Sequence, residues 1–259
     1  LKMLLGLVRP SGGTFEGLGA DSTRPSGRRA LGFLPEQPYF PIHLTARQAM
    51  RFYGSLAGVS TADVRTQTAT LLERVGLADA ERTELSKFSR GMLQRLGIAQ
   101  ALLGRPQVVI LDEPASGLDP VGQRDVRNLM LELRAEGVTV LLSSHQLSEV
   151  EAVCDQVTIL NRGVVAVEGD INLLLNVDGR TSVRATGMDA LPTDVARAAD
   201  DVVVSGGMWV FSIPTDLTRD VVDSIDETGG TIVALTPKRE SLEDYFASLL
   251  AGDVKEVAL

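Results

Sequence analysis

The segment Val108-Val109-Ile110-Leu111-Asp112-Glu113-Pro114 sets two adjacent carboxylates directly after a run of four aliphatic residues. The run predicts a buried strand that delivers both acids to its carboxyl end. Neighbouring carboxylates repel each other and are costly to desolvate, so a site without a cation or a reacting water is a poor place for them. Metal-assisted phosphoryl chemistry supplies a reason for the pair. Asp112 would hold Mg²⁺ through its water shell, and Glu113 would polarise the attacking water as general base. Taken alone, the pair also fits a surface turn that happens to be acidic.

The flanking segments carry further candidates. Phe88-Ser89-Arg90-Gly91-Met92 precedes a helical run from Leu93 to Leu103. A serine and a glycine opening a helix leave backbone N–H groups free at the positive end of its dipole, which suits an anion. The same residues also serve as a plain helix cap. Downstream, Ala115-Ser116-Gly117-Leu118-Asp119 predicts a tight turn after the carboxylates, and Ser143-Ser144-His145 ends the next strand. His145 can donate a hydrogen bond to a terminal phosphate, or be only a polar residue at a strand end. Gln37, beyond the early strand Ala30 to Leu34, is a neutral group able to coordinate metal or water.

In order and spacing, Gln37 in GFLPEQ, Ser89 in FSRGMLQRLGIAQALL, Asp112-Glu113 in VVILDEP, Asp119 in SGLDP and His145 in LLSSH resemble the ABC ATPase family. They look like its Q-loop, signature motif, Walker B motif, D-loop and switch histidine, and the resemblance covers Leu1 to about Asp170. It implies a P-loop NTPase-like α/β domain with a parallel-sheet core and a helical subdomain over about residues 40–105. It also implies ATP and Mg²⁺ as ligands, Glu113 and His145 as catalytic residues, and Asp112 with Gln37 at the metal. Gln37, Ser89, Arg90, Gly91 and Asp119 fall at nucleotide-binding positions. In the family two such subunits meet head to tail, each ATP lying between one subunit's P-loop and Walker B and the other's signature, and a multi-span membrane permease is the partner they move. The signature, usually LSGGQ, departs here at Phe88, Arg90 and Met92 and keeps Ser89 and Gly91. That variant, and the closing ESLEDYF, are similar to ABC-2 type exporters of drugs and polysaccharides.

A P-loop needs Gly-x-x-x-x-Gly-Lys-Ser/Thr, because backbone N–H groups and the lysine neutralise the β- and γ-phosphates while the hydroxyl binds Mg²⁺. The sequence has four lysines, Lys2, Lys87, Lys238 and Lys255, and none follows a glycine. The opening LKMLLGLVRPSGG resembles the helix that follows the family's P-loop, so the expectation is a buried helix ended by Pro10 whose start is missing, and a chain inactive by itself. Two alternatives stay open. One is a non-hydrolysing partner that supplies only the signature half of a composite ATP site. The other is a soluble ABC ATPase acting on DNA or ribosomes, against which the net charge of −9 and the single cassette weigh.

The elements that must position these residues follow from periodicity and punctuation. With 259 residues, 44% of them hydrophobic, the chain can build a large α/β domain and a small appendage. Its single cysteine, Cys154, excludes a disulfide framework, and no apolar stretch is long enough to span a bilayer, so a membrane link must come through a partner on the cytoplasmic face. Pro10 to Gly27 reads as loop or short strand. Thr45 and Gln48 form a capping box, and the segment to about Glu84 reads as helical, with Leu71, Leu72, Val75 and Leu77 to bury. Pro38-Tyr39-Phe40-Pro41 is either a permease contact or a loop that tucks two aromatics into the core. Strand, helix and strand then alternate over Val108 to Ser143, with Asp119 capping the helix, followed by a hairpin through Asn161-Arg162-Gly163. The cassette is assigned residues 1–170. After a short linker, residues 179–250 form an accessory α+β domain whose β-α-β-β-α-β order predicts a ferredoxin-like sheet and a closing amphipathic helix. Trp209, Phe211 and Tyr245 are assigned to its core, and a regulatory or dimer-steadying role is expected by analogy of fold.

Overall fold

The computed structural model describes residues 1–13 and 30–251, and the backbone falls into two compact units, Leu1–Glu149 and Val150–Leu259. The predicted loop from Pro10 to Gly27 lies, beyond residue 13, outside the described residues.

In the first unit the expected opening helix is a single closed turn. Leu7 N–H bonds Lys2 O at 3.0 Å and Gly6 N–H bonds Met3 O at 2.9 Å, with Gly6 at φ 65°. That is a Schellman closure, and it ends the helical path at Gly6, ahead of Pro10. One turn cannot bury an apolar stripe: Leu5 is buried, whereas Met3, Leu4, Leu7 and Val8 are exposed.

The rest of the unit follows its sequence signals closely. Strand β1 (Leu31–Leu34) pairs in parallel with β2 (Val108–Asp112), which pairs in parallel with β3 (Thr139–Ser143). The aliphatic run Val109-Ile110-Leu111 is buried in the central strand. Between β1 and β2 lie helices α1 (Ala46–Leu56), α2 (Thr61–Arg74) and α3 (Arg90–Ala101), with short 3₁₀ turns between α2 and α3. Thr45 forms both halves of the predicted capping box with Gln48. Leu71, Leu72, Val75 and Leu77 are all buried. Helix α4 (Pro120–Ala135) joins β2 to β3, capped by Asp119 and closed at Gly137. Its buried residues Val126, Leu129, Met130 and Leu133 keep a helical period.

The second unit begins within α5 (Leu147–Val153) and continues through the hairpin β4 (Gln156–Asn161) and β5 (Val164–Asp170). The segment expected to be a linker is instead a short helix, α6 (Ile171–Leu175). Asp170 Oδ1 accepts from Asn172 N–H at 2.8 Å and Leu173 N–H at 3.2 Å, which starts the turn, and Ile171, Leu174 and Leu175 are buried by it.

Strands β6 (Asn176–Thr186), β7 (Asp200–Ser205), β8 (Met208–Pro214) and β9 (Thr231–Arg239) form an antiparallel sheet in the order β7-β8-β6-β9. Helices α7 (Thr193–Ala198) and α8 (Thr218–Glu227) connect them, giving the ferredoxin-like topology. Val183, Ala185, Val195, Phe211, Ile213, Val221 and Ile225 make one core, with Trp209 packed at its margin. Helix α9 (Leu242–Ala251) follows, burying Leu242 and Tyr245 and leaving Leu250 exposed. Among the described residues no helix is long and apolar enough to cross a membrane.

Candidate active site

Parallel pairing places the carboxyl ends of three strands side by side. Leu34 lies opposite Leu111 and Asp112 opposite Ser143, so Gln37, Asp112-Glu113 and His145 all leave the same edge of the sheet. Ligands of open parallel sheets bind along such an edge, where successive loops diverge.

Two hydrogen bonds organise the acids. Ser143 Oγ donates to Asp112 Oδ1 at 2.6 Å, and His145 Nδ1 sits 2.7 Å from Glu113 Oε2. The Glu113 side chain is about one-fifth exposed and that of His145 about two-thirds, so the pair faces outward from a partly desolvated base. The second oxygen of Asp112 has no protein partner among the described residues.

Glu113 is held in the left-handed region, at φ 52°. A non-glycine residue there costs about 1–2 kcal/mol and needs support. Its N–H donates to Ser143 O at 3.1 Å and to Ser143 Oγ at 3.3 Å. Gln94 Nε2, from α3, donates to Glu113 O at 3.1 Å and Pro114 O at 3.2 Å, and Ser116 N–H closes the turn onto Glu113 O. The left-handed residue turns the chain sharply after Asp112, so the two acids diverge in direction. Burial pushes the nearby Glu149 carboxyl above its usual range; Arg127 acts against that shift and the charge of Glu113 adds to it.

The start of α3 packs onto the turn that follows the acids. Ser89 caps the helix by accepting from Met92 N–H at 3.2 Å, and the first turn holds no acidic residue, so the positive end of the dipole is uncompensated. Phe88, where the signature departs toward an apolar residue, is buried. Arg90 Nη2 donates to Ser116 Oγ at 3.3 Å, and its guanidinium lies over Gly117. Gly117 has φ 73°, a conformation that strains any residue with a side chain, and a Cβ there would stand 2.7 Å from Arg90 Nε and displace the guanidinium. Asp119 Oδ1 accepts from Gly122 N–H at 2.7 Å as the cap of α4.

The structure therefore brings Asp112, Glu113 and His145 into one bonded group, with Arg90 and Gly91 beside the adjoining turn. Ser89 and Asp119 are exposed, each capping its own helix, and Gln37 is exposed at the same sheet edge without a hydrogen bond to the acids. Sequence reasoning passed over Gln94 and the hydroxyl of Ser143. Gln94 is 2% exposed and shares a stripe with Gly97, Ile98 and Ala101, so its signal was a lone amide on an apolar helix face.

Asp112 fits a Mg²⁺ ion held mainly by waters and phosphate oxygens, because one oxygen is fixed by Ser143 and the other is available. Among the described residues no group of three or more His, Cys, Asp or Glu side chains is placed to hold a metal ion.

The ABC transporter family profile matches residues 1–116. An uncharacterized ABC transporter ATP-binding protein of Nostoc sp. (strain PCC 7120) is 36% identical over 95% of this chain and 73% of its own length. The bacitracin transport ATP-binding protein BcrA of Bacillus licheniformis is 31% identical over 97% of this chain and 84% of its own. A solved structure titled as the ATP binding subunit of an ABC transporter superposes with a TM-score of 0.61 at 31% identity, covering 67% of this chain and 73% of that one. This chain belongs to the family of ABC transporter ATP-binding proteins.

Proposed function

We propose that the chain is the ATP-hydrolysing subunit of an ABC exporter, with Glu113 as general base, His145 as its positioning and phosphate-sensing partner, and Asp112 at Mg²⁺. The observation that carries this reading is the 2.7 Å contact of His145 Nδ1 with Glu113 Oε2, at a strand end where Asp112 is already bonded to Ser143. Glu113 accepts a proton from the attacking water. If Nδ1–H donates to Glu113, the other ring nitrogen of His145 carries a proton only in the charged imidazolium, so hydrogen bonding to a terminal phosphate calls for that form. Mg²⁺, when bound, neutralises charge on the β- and γ-phosphates. Gln37, at the same sheet edge, is a neutral donor and acceptor toward the metal's waters.

Ser89, Arg90 and Gly91 serve a second subunit. Exposed at the start of α3, Ser89 and the free N–H groups beside it would meet the γ-phosphate of an ATP held by a head-to-tail partner, with Asp119 at the same junction. The membrane partner is a multi-span permease on whose cytoplasmic side the subunit sits. Its contact is the surface around Tyr39, 85% exposed, with Ile42, Phe52 and Leu56 also exposed. Phe40 is buried edge-on to Tyr53, while Tyr53 Oη donates to Tyr39 O at 2.9 Å, so of the two aromatics one anchors the loop and the other is presented. That surface borders a groove of about 530 Å³ that also reaches Gln37, linking the contact to the nucleotide edge. Export as the direction rests on the FSRGM and ESLEDYF segments; BcrA is named for bacitracin transport.

The sequence contains no Gly-Lys pair, so no P-loop lysine or phosphate-cradling backbone is supplied by these residues. Hydrolysis then belongs to an assembly in which a P-loop completes the site, and the 259-residue chain alone binds ATP weakly. A calorimetric titration tests the proposal: the chain alone should bind ATP no more tightly than about 1 mM, and the same chain with a P-loop placed ahead of residue 1 at least a hundredfold more tightly, a gain of about 2.7 kcal/mol. Micromolar binding without the P-loop, or no gain with it, rejects the assignment.

A further inference from the structure

Charge is unevenly shared between the two units. Residues 150–259 hold nineteen Asp and Glu against eight Lys and Arg, whereas residues 1–149 hold fifteen against seventeen. Half of the cations of the acidic unit, Arg180, Arg184, Lys238 and Arg239, lie on β6 and β9. Val183 and Ala185 point into the core beneath α7 and α8, so Ser182 and Arg184, alternating with them, point to the opposite face of the sheet. Thr236 of β9 and Ser212 of β8 stand opposite Ser182 on either side.

On that face is a groove of about 560 Å³, lined by Arg184, Lys238, Arg239, Ser182 and Thr236, with Asp201 also at its wall, over an apolar floor that includes Val210. Its volume is that of a small-molecule site. Two of the neighbouring cations are already matched: Lys238 pairs with Asp201, and Arg180 with Asp200 while donating to Ser212 Oγ. Arg184 and Arg239 have no ion pair or side-chain hydrogen bond among the described residues, and neither do the hydroxyls of Ser182 and Thr236. Two unmatched guanidinium groups in a concave site focus a positive potential inside an otherwise acidic unit.

We propose that this groove binds a soluble phosphomonoester. Such a group carries close to two negative charges at neutral pH, equal to the two free guanidinium charges, and its three acceptor oxygens can engage both arginines and the two hydroxyls together. A carboxylate brings one charge and two oxygens and leaves donors unmatched. All of the residues that line it belong to the second unit, between Asn176 and Arg239. It gives the accessory unit a ligand through which the state of the cell can act on the subunit.

The test is calorimetry on the whole chain with sn-glycerol 3-phosphate as probe, in a buffer free of phosphate. Saturable one-to-one binding is expected, weakened at least tenfold by Arg184→Gln and by Arg239→Gln, with Trp209 emission unchanged as the sign that the unit stays folded. Arg184→Lys, which keeps the charge and loses the fork, should fall between. No saturation by about 10 mM probe, near the limit of specific recognition, overturns the proposal, and so does binding that ignores both substitutions. Tighter binding of succinate than of the probe overturns the ligand class. Sedimentation with phosphatidic acid vesicles, in the absence of binding to free probe, overturns the soluble ligand in favour of a lipid surface.

Discussion

In a chain carrying a P-loop ahead of residue 1, Glu113→Gln slows ATP hydrolysis by about 10²–10⁴-fold, the range for loss of a positioned general base. The amide keeps the volume and the hydrogen bond to His145 but cannot take a proton from water. ATP affinity should change by less than threefold, because the γ-phosphate contacts come from the P-loop and the partner's signature. The pattern distinguishes a base from a merely structural acid: the loss falls on turnover while binding is spared. Phosphate release at the unsubstituted rate removes Glu113 from that role.

The second large effect is on stability. Phe211 is 2% exposed at the centre of the ferredoxin-like core, between Val183 on β6 and the helix residues Val221 and Ile225. Phe211→Ala deletes a buried ring and leaves a cavity, costing about 3–5 kcal/mol. Trp209, two residues away on the same strand and the sole tryptophan, donates its Nε1–H to Met188 O at 3.1 Å and reports on the same unit. Its emission should therefore shift at a urea midpoint lower by more than about 1 M. An unchanged midpoint contradicts the assignment of Phe211 to the core.

How much of this was legible in the sequence depended on how local each signal was. Thr45 with Gln48, and Asp119 before Pro120, specify helix starts within four residues, and both caps form as expected. The aliphatic run before Asp112 specified a buried central strand because no exposed position could hold it. The β-α-β-β-α-β order was readable for the same reason, each strand and helix announcing itself in turn.

What escaped depends on residues far apart in the chain. The support of Glu113 comes from Gln94 and Ser143, nineteen and thirty residues away, and no periodicity marks that pairing. Arg90 over Gly117 is likewise a contact between residues far apart in sequence, the start of α3 and the turn after β2. The apolar content of the opening segment suggests a longer helix than forms, because Gly6 closes the first turn. Asp170, expected only as the approximate end of the cassette, also caps α6. The basic groove shows the same limit: the cations of the acidic unit can be counted from sequence, but only the folded sheet brings Arg184 and Arg239 to the lining of one groove.

The proposed site is shared by two subunits, with the acids here facing one ATP and Ser89 and Gly91 serving another. Light scattering on the P-loop-bearing chain with Glu113→Gln, with and without Mg²⁺ and ATP, tests it most directly. A particle of one subunit without nucleotide should double in mass when ATP is added, and Ser89→Arg should abolish the doubling while leaving ATP bound. A mass that stays at one subunit with ATP saturating, or a dimer indifferent to Ser89→Arg, would contradict the shared site.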